Sequence, residues 1–189
     1  SKEQIPLTTG LFSLLMAIFA YKENDRKKLF FSGVIFFASL FCFGLSIWLI
    51  TPYFRGGQHF ALSRYKSLGD DPTEIIKNVI TKPETYINLI FNNDNLKYLF
   101  LLLSPLVFFS IFSPIYILIA SPEFMINFLS NHSQMRGIDN HYTAVIIPFI
   151  FISAIFGVKE VMKRKILDVK KISILIIIFT LIMSYYKGQ

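Results

Sequence analysis

The sequence predicts an all-α fold, a polytopic bundle of transmembrane helices with amphipathic surface helices in an extracytoplasmic loop. Of the 189 residues, 53% are hydrophobic and 16% are charged, whereas soluble domains carry about 25% charged residues. The apolar residues also form long uncharged blocks, without the polar stripe that a helix exposed to water requires. We therefore expect residues 1–189 to form a single membrane domain, as a fragment of a longer protein because the chain begins at Ser1 and not at a methionine.

The basic residues predict the orientation of the chain in the membrane. The net charge of +7 arises largely from clusters beside apolar blocks, within 22–28 and 159–171. Loops enriched in lysine and arginine stay on the cytoplasmic side, so both clusters are expected there, in a multi-pass protein of a prokaryotic plasma membrane. The same placement beside lipid-facing blocks argues against a nucleic-acid partner. Cys42 is the single cysteine, so no disulfide can form within the chain.

Six crossings follow from block length and charge, since about 20 residues span the hydrocarbon layer. The clearest is 29–54, which is uncharged and carries Trp48 and Tyr53 near one end as interface anchors. If both basic clusters are cytoplasmic, an odd number of crossings must separate 29–54 from the second cluster. The predicted spans are therefore 5–21, 29–54, 96–112, 114–130, 142–158 and 172–186.

The pair of spans between residues 96 and 130 is the least regular part of this prediction. It contains Pro105, Pro114 and Pro122, and proline interrupts a helix by removing a hydrogen-bond donor. One interpretation is a tight two-span hairpin that turns near Ser113 and Pro114. The other is one span followed by an interfacial helix.

Residues 55–95 form the predicted extracytoplasmic loop. Asp71 is placed to cap a helix whose first residue is Pro72, and a second short helix follows Pro83. Residues 92–95, all Asn or Asp, predict a turn before the next apolar block. Both helices carry apolar residues on one face, so we expect them to lie along the membrane surface.

Glu123 is the acidic residue placed well inside a predicted span. Ionisable groups in hydrocarbon are costly and usually mark a functional site, although a shallow hairpin would place Glu123 at a water-accessible interface. The candidate catalytic residues are Glu3, Glu123 and His141, and the candidate substrate-binding residues are His59, Arg64 and Tyr142. For the loop residues among them, the competing interpretation is that they are ordinary loop and interface residues.

No spacing of histidine, cysteine or carboxylate residues matches a metal motif, so no metal site is predicted. A divalent metal ion serving a phosphate-bearing donor would have Asp70 and Asp71 as its ligands. Helix capping explains the same pair.

Several short motifs in a fixed order carry a family resemblance. Lys2-Glu3-Gln4 stands ahead of the first span, with Gln4 where the family has Asp, and the remaining motifs are Pro52 to Phe54, Tyr65 to Gly69, Leu102 to Pro105, Pro122 to Ser130 and His141 to Pro148. In this order they resemble the later half of a prokaryotic membrane-protein family called domain of unknown function 2079, which is similar to the C-type membrane glycosyltransferases. The resemblance implies a sugar transferase that uses a polyprenyl-phosphate sugar on the extracytoplasmic face, with its catalytic acid in a loop upstream of Ser1.

Two other functions fit the same sequence. A transporter or channel would use proline-broken helices and an intramembrane acid to build its binding site. A non-catalytic subunit of an envelope assembly would need only the helices and a partner. For all three functions, the membrane lipid is an expected partner.

Overall fold

The computed structural model describes residues 5–50, 53–54, 64–69 and 72–187. Across these ranges the chain forms helices and connecting loops and no strand, which confirms the all-α prediction. The α-helices are α1 (Ile5–Lys22), α2 (Arg26–Leu45), α3 (Pro72–Thr81), α4 (Pro83–Ile90), α5 (Asn93–Leu103), α6 (Ile115–Ile119), α7 (Ser121–Leu129), α8 (Ile146–Lys163) and α9 (Val169–Lys187).

Three of the described helices are long and apolar enough to cross a membrane. They are Ile5–Lys22, Arg26–Ile50 and Val169–Tyr186, and the second, α2 with the π-helical turn Ser46–Ile50, has a mean hydropathy of 2.3. They overlap the predicted spans 5–21, 29–54 and 172–186. The predicted span 142–158 falls largely on α8, which ends in a charged turn with Lys159, Glu160 and Lys163. The number of crossings and the cytoplasmic location of 22–28 and 159–171 stay predictions.

The chain divides into two compact units. The first consists of Ser1–Pro83 and Ser121–Ile126, and the second of Glu84–Ala120 and Asn127–Gln189. In the second unit, Phe109, Ala154, Val161 and Ile172 form a buried apolar cluster.

Helices α1 and α2 of the first unit pack through small residues. Gly10, Ser13 and Ser39 are buried, and a Cβ added to Gly10 would lie 3.6 Å from the Cβ of Ser39. Small side chains let two helix backbones approach closely, which is how membrane helices gain packing energy where lipid supplies no hydrophobic drive.

The turns before α2 and α9 share one local design. Asn24 and Lys165 both have φ of 55°, a left-handed conformation that ends the preceding helix. The next helix is then capped by an aspartate, because Lys28 N donates to Asp25 Oδ1 at 3.0 Å and Lys171 N donates to Asp168 Oδ1 at 2.8 Å. Each cap satisfies a backbone donor at a helix start that would otherwise lack a partner.

The proline-rich segment between α5 and α7 is broken into short pieces. Helix α5 ends at Leu103, and 3-10 turns follow at Ser104–Leu106 and Phe109–Phe112. Between them, Val107 and Phe108 have φ of 53° and 56°, a conformation that costs a residue with a side chain about 1–2 kcal/mol. The ranges 96–112 and 114–130 are therefore not continuous helices, since Pro105, Pro114 and Pro122 each lack a backbone N–H.

The first loop helix begins where the sequence predicts, and the second begins at the proline expected to precede it. α3 starts at Pro72 and α4 at Pro83. The predicted asparagine turn proves to be a helix cap, because Asn95 N donates to Asn92 Oδ1 at 2.8 Å at the start of α5.

Candidate functional site

Glu123 lies in the first turn of α7, directly after Pro122. It is 2% exposed, and the neighbouring Phe124 is also buried. The N-terminal turn of a helix favours a negative charge, because its backbone N–H groups point toward it. The structure thus places the one acidic side chain of this apolar stretch in a buried position.

A hydrogen bond joins the long loop to the helix that carries Glu123. The Tyr65 hydroxyl donates to the carbonyl oxygen of Ile126 at 3.1 Å, within the first unit. Asn78 of α3 in turn donates from Nδ2 to the carbonyl oxygen of Leu68 at 2.8 Å. The loop segment 64–69 is thereby held between α3 and α7, and Arg64 at its start is half-buried. The structure therefore brings the elements that carry Arg64 and Glu123 into contact.

A second buried polar group lies in the second unit. Asn127 Nδ2 donates to the hydroxyl oxygen of Tyr98 at 3.0 Å, and both side chains are 1% exposed. The ring of Tyr98 also meets Phe128 edge-on, with centroids 6.1 Å apart. Tyr98 is a residue that the sequence analysis missed. A tyrosine in an otherwise apolar block is the available signal, because a buried hydroxyl needs a hydrogen-bond partner.

Two further side chains hold the C-terminal end of α7. Asn95, fully buried, donates from Nδ2 to the carbonyl oxygens of Phe128 at 3.2 Å and of Leu89 at 2.7 Å. Arg136 donates to the carbonyl oxygen of Ser130 at 2.7 Å. The last carbonyls of a helix have no partner within it, so Asn95 and Arg136 supply the donors that fix this end of α7.

A comparison with protein families assigns the chain to a membrane-protein family. The model of the family described as "Predicted membrane protein (DUF2079)" matches residues 1–187. The chain belongs to the DUF2079 family. No curated protein and no solved structure matches the chain. Family membership confirms the predicted family and the assignment to the membrane, whereas the match to the later half of the family and the similarity to C-type glycosyltransferases stay predictions.

His141 and Tyr142 of the DUF2079 chain lie in the connection between α7 and α8. They belong to the 3-10 turn His141–Thr143, and their rings are tilted by 34° with centroids 4.2 Å apart. His141 is exposed and Tyr142 half-buried. Both belong to the second unit, whereas Glu123 belongs to the first. The ring pair is thus a surface feature of the second unit.

Three groups of predicted residues in the DUF2079 chain lie outside the described residues: Glu3, His59 and the pair Asp70 and Asp71. Among the residues that are described, no three His, Cys, Asp or Glu side chains form a group that could hold a metal ion. Of the six candidate catalytic and substrate-binding residues, the structure thus describes four, Arg64, Glu123, His141 and Tyr142.

Hydroxyl groups bind the backbone of the broken segment in the DUF2079 fold. Ser153 Oγ shares its one hydroxyl proton between the carbonyl oxygens of Ser110 and Ser113, at 2.8 and 2.7 Å. Ser110 Oγ donates to the carbonyl oxygen of Ile150 at 3.0 Å. Thr180 Oγ1 donates to the carbonyl oxygen of Pro105 at 3.3 Å. Backbone carbonyl groups that make no helical hydrogen bond have no water to accept from in the hydrocarbon layer of a membrane. These side-chain hydroxyls supply hydrogen-bond donors to such carbonyl groups.

Proposed function

We propose that this DUF2079 chain is part of a membrane enzyme that transfers a sugar from a polyprenyl-phosphate donor on the extracytoplasmic face of the cell membrane. The observation that carries the proposal is the burial of Glu123 on α7, beside the loop segment that begins with Arg64. A carboxylate in an apolar site with a guanidinium on an adjacent element suits a reaction that moves a proton and releases a phosphate. The resemblance to C-type glycosyltransferases supports the same reaction class, but it implies a catalytic acid upstream of Ser1, so the assignment of the proton transfer to Glu123 rests on the burial of Glu123 alone.

In the proposed step, the carboxylate of Glu123 takes the proton of the acceptor hydroxyl. The acceptor oxygen forms a bond to the anomeric carbon of the sugar, and the bond between that carbon and the phosphate oxygen breaks. Its electron pair leaves with polyprenyl phosphate, which gains one negative charge. Arg64 is the residue proposed to bind this phosphate, since a guanidinium matches phosphate geometry.

The full-length protein in native membranes provides the test. Membranes are supplied with polyprenyl-phosphate mannose whose phosphate is radiolabelled, and the release of labelled polyprenyl phosphate is measured, so the acceptor need not be known. Glu123→Gln is expected to lower the rate by about a hundredfold or more, the usual contribution of a general base. Arg64→Gln is expected to raise the donor concentration needed for half-maximal rate.

Glu160→Gln is the matched control. Glu160 is a carboxylate that pairs with Arg164 at 2.9 Å on the last turns of α8, and its replacement is expected to leave donor consumption unchanged. Equal activity of the Glu123→Gln and wild-type proteins, at equal amounts in the membrane, would contradict the role of Glu123. Failure of wild-type membranes to consume any polyprenyl-phosphate sugar would contradict the proposed function itself.

Transport is the alternative that the broken helices suggest, but the hydrogen bonds of the broken segment argue against it. A transporter would use free backbone carbonyls at such a break to bind its ion. Here the carbonyl oxygens of Pro105, Ser110 and Ser113 accept hydrogen bonds from Thr180 and Ser153. Substrate uptake by vesicles that carry the protein, abolished by Glu123→Gln, would favour transport over sugar transfer.

A further inference from the structure

The two ends of the segment 93–130 lie against each other in the second unit. Asn95, in the first turn of α5, reaches the carbonyl oxygen of Phe128 in the last turn of α7 at 3.2 Å. Tyr98 and Asn127 form the next contact inward, at 3.0 Å. The first residues of the segment, in α5, therefore lie beside its last residues, in α7.

The turn of this segment lies against uncharged parts of two long helices. The carbonyl of Pro105 meets Thr180 of α9, and those of Ser110 and Ser113 meet Ser153 of α8. Gly157 of α8 is in such close contact with Phe109 that an added Cβ would overlap the carbonyl oxygen of Phe109. All of these partners lie within the uncharged stretches 146–158 and 172–186.

The composition and length of the segment do not suit a turn in water. No charged residue occurs between Lys97 and Glu123, whereas turns at a membrane surface are normally polar. Helices α5 and α7 contain 11 and 9 residues. At 1.5 Å per residue they measure about 16 and 13 Å, and the hydrocarbon layer is about 30 Å thick. The hydroxyl donors of Ser153 and Thr180 allow a non-helical turn to remain inside this layer.

We infer that residues 93–130 form a re-entrant hairpin, which enters and leaves the membrane on one side and turns inside the apolar layer. It replaces the two crossings predicted at 96–112 and 114–130 and preserves the predicted orientation of every other span, because both arrangements return the chain to its starting side. Glu123 lies one helical turn further into the hairpin than Asn127, so it lies within the apolar layer. The inference is independent of the proposed enzymatic function and applies equally to a transporter or a subunit.

Cysteine accessibility in cells that express the full-length protein distinguishes the arrangements. In a Cys42→Ser background, single cysteines replace Asp94 and Asn131 at the two ends, Phe112 at the turn and Ile166 between α8 and α9. All four native side chains are exposed. A membrane-impermeant maleimide is applied to intact spheroplasts and to inverted vesicles, and each protein is relabelled after denaturation to show that the thiol is present. Ile111→Cys, also exposed, serves as a second turn position.

A re-entrant hairpin predicts that positions 94 and 131 react from one side and position 166 from the other. Positions 111 and 112 should react from neither side before denaturation, or from the side of 94 and 131 if water enters the hairpin. Reaction of 111 or 112 from the side of 166 would establish two full crossings and overturn the inference. Reaction of 94 and 131 from opposite sides would establish a single crossing and overturn it as well.

Discussion

The side-chain amide of Asn95 donates a hydrogen bond to the backbone carbonyl oxygen of Phe128 across 3.2 Å. The same amide also donates to the carbonyl of Leu89 at the end of α4. One buried side chain thus supplies donors to the C-terminal ends of two helices. Because an unpaired carbonyl in an apolar surrounding is costly, Asn95 fixes where α4 and α7 end relative to the start of α5 within the second unit.

Replacing Tyr98 with phenylalanine is expected to destabilise the protein by about 1–2 kcal/mol, because it leaves the buried Nδ2 of Asn127 without its acceptor. Unfolding of the detergent-solubilised protein by heat or by sodium dodecyl sulfate measures the change. The double variant Tyr98→Phe with Asn127→Leu should lose less than the sum of the single variants, since both partners are then apolar. Tyr21→Phe is the control, because Tyr21 is 76% exposed on α1. Additive single effects would show that the hydrogen bond contributes nothing.

Local sequence signals predict the helix starts of this fold but not its buried contacts. Pro72 begins a helix as expected, because proline at the first helical position acts on its own neighbours, and Pro83, expected just before the second helix, is the first residue of that helix. The bond between Asn127 and Tyr98 joins residues 29 positions apart, and that between Ser153 and Ser110 joins residues 43 positions apart. Such pairs depend on how the helices pack, and no local pattern encodes the partner. Glu123 could be found from sequence because a carboxylate in an apolar block is costly wherever its partners lie.

Replacing Gly157 with alanine is expected to destabilise the second unit by about 1–3 kcal/mol, as overpacking of a tight contact does. The new methyl group would overlap the carbonyl oxygen of Phe109 in the broken segment, and a backbone atom cannot move aside as a side-chain end can.

Gly33→Ala is the matched control, because a Cβ at this helical position in α2 meets nothing within 4 Å. That variant should be neutral or slightly more stable, by up to about 1 kcal/mol, through helix propensity. Equal unfolding midpoints for the two variants would contradict the close packing of α8 on Phe109.

Replacing Arg136 with lysine is expected to release the connection between α7 and α8. The guanidinium of Arg136 donates from Nη1 to the carbonyl oxygens of Ser130 and Asn127 at 2.7 and 3.4 Å. A lysine ammonium is more strongly hydrated than a guanidinium, so at this half-buried position it is expected to leave these carbonyls for water. Proteinase K should therefore cut within residues 131–145 faster in Arg136→Lys than in the wild-type protein.

Asp94→Asn is the control for Arg136→Lys. The contact of Asp94 with Arg136 is long, at 3.9 Å, and the Asp94 side chain is 76% exposed, so such a pair contributes little. Its cutting rate should match the wild type. If Arg136→Lys were cut at the wild-type rate, or if Asp94→Asn were cut as fast as Arg136→Lys, the carbonyl contacts of Arg136 would not be what holds the connection.

The aspartate caps of α2 and α9 predict a loss of stability in acid. The backbone N–H of Lys28 donates to Asp25 and that of Lys171 donates to Asp168, and each hydrogen bond lowers the pKa of its carboxyl group below the ordinary value. A carboxylate with a lowered pKa stabilises the fold above its unfolded pKa, and this stabilisation disappears as the pH falls through the lower, folded pKa.

The double variant Asp25→Asn with Asp168→Asn keeps a capping oxygen at both helices but removes both titrating groups. Thermal unfolding in detergent should therefore show a shallower decline between neutral and acidic pH for this variant than for the wild type, with the neighbouring Glu23 and Lys28 left unchanged. A decline as steep as that of the wild type would mean that the two caps do not link folding to pH.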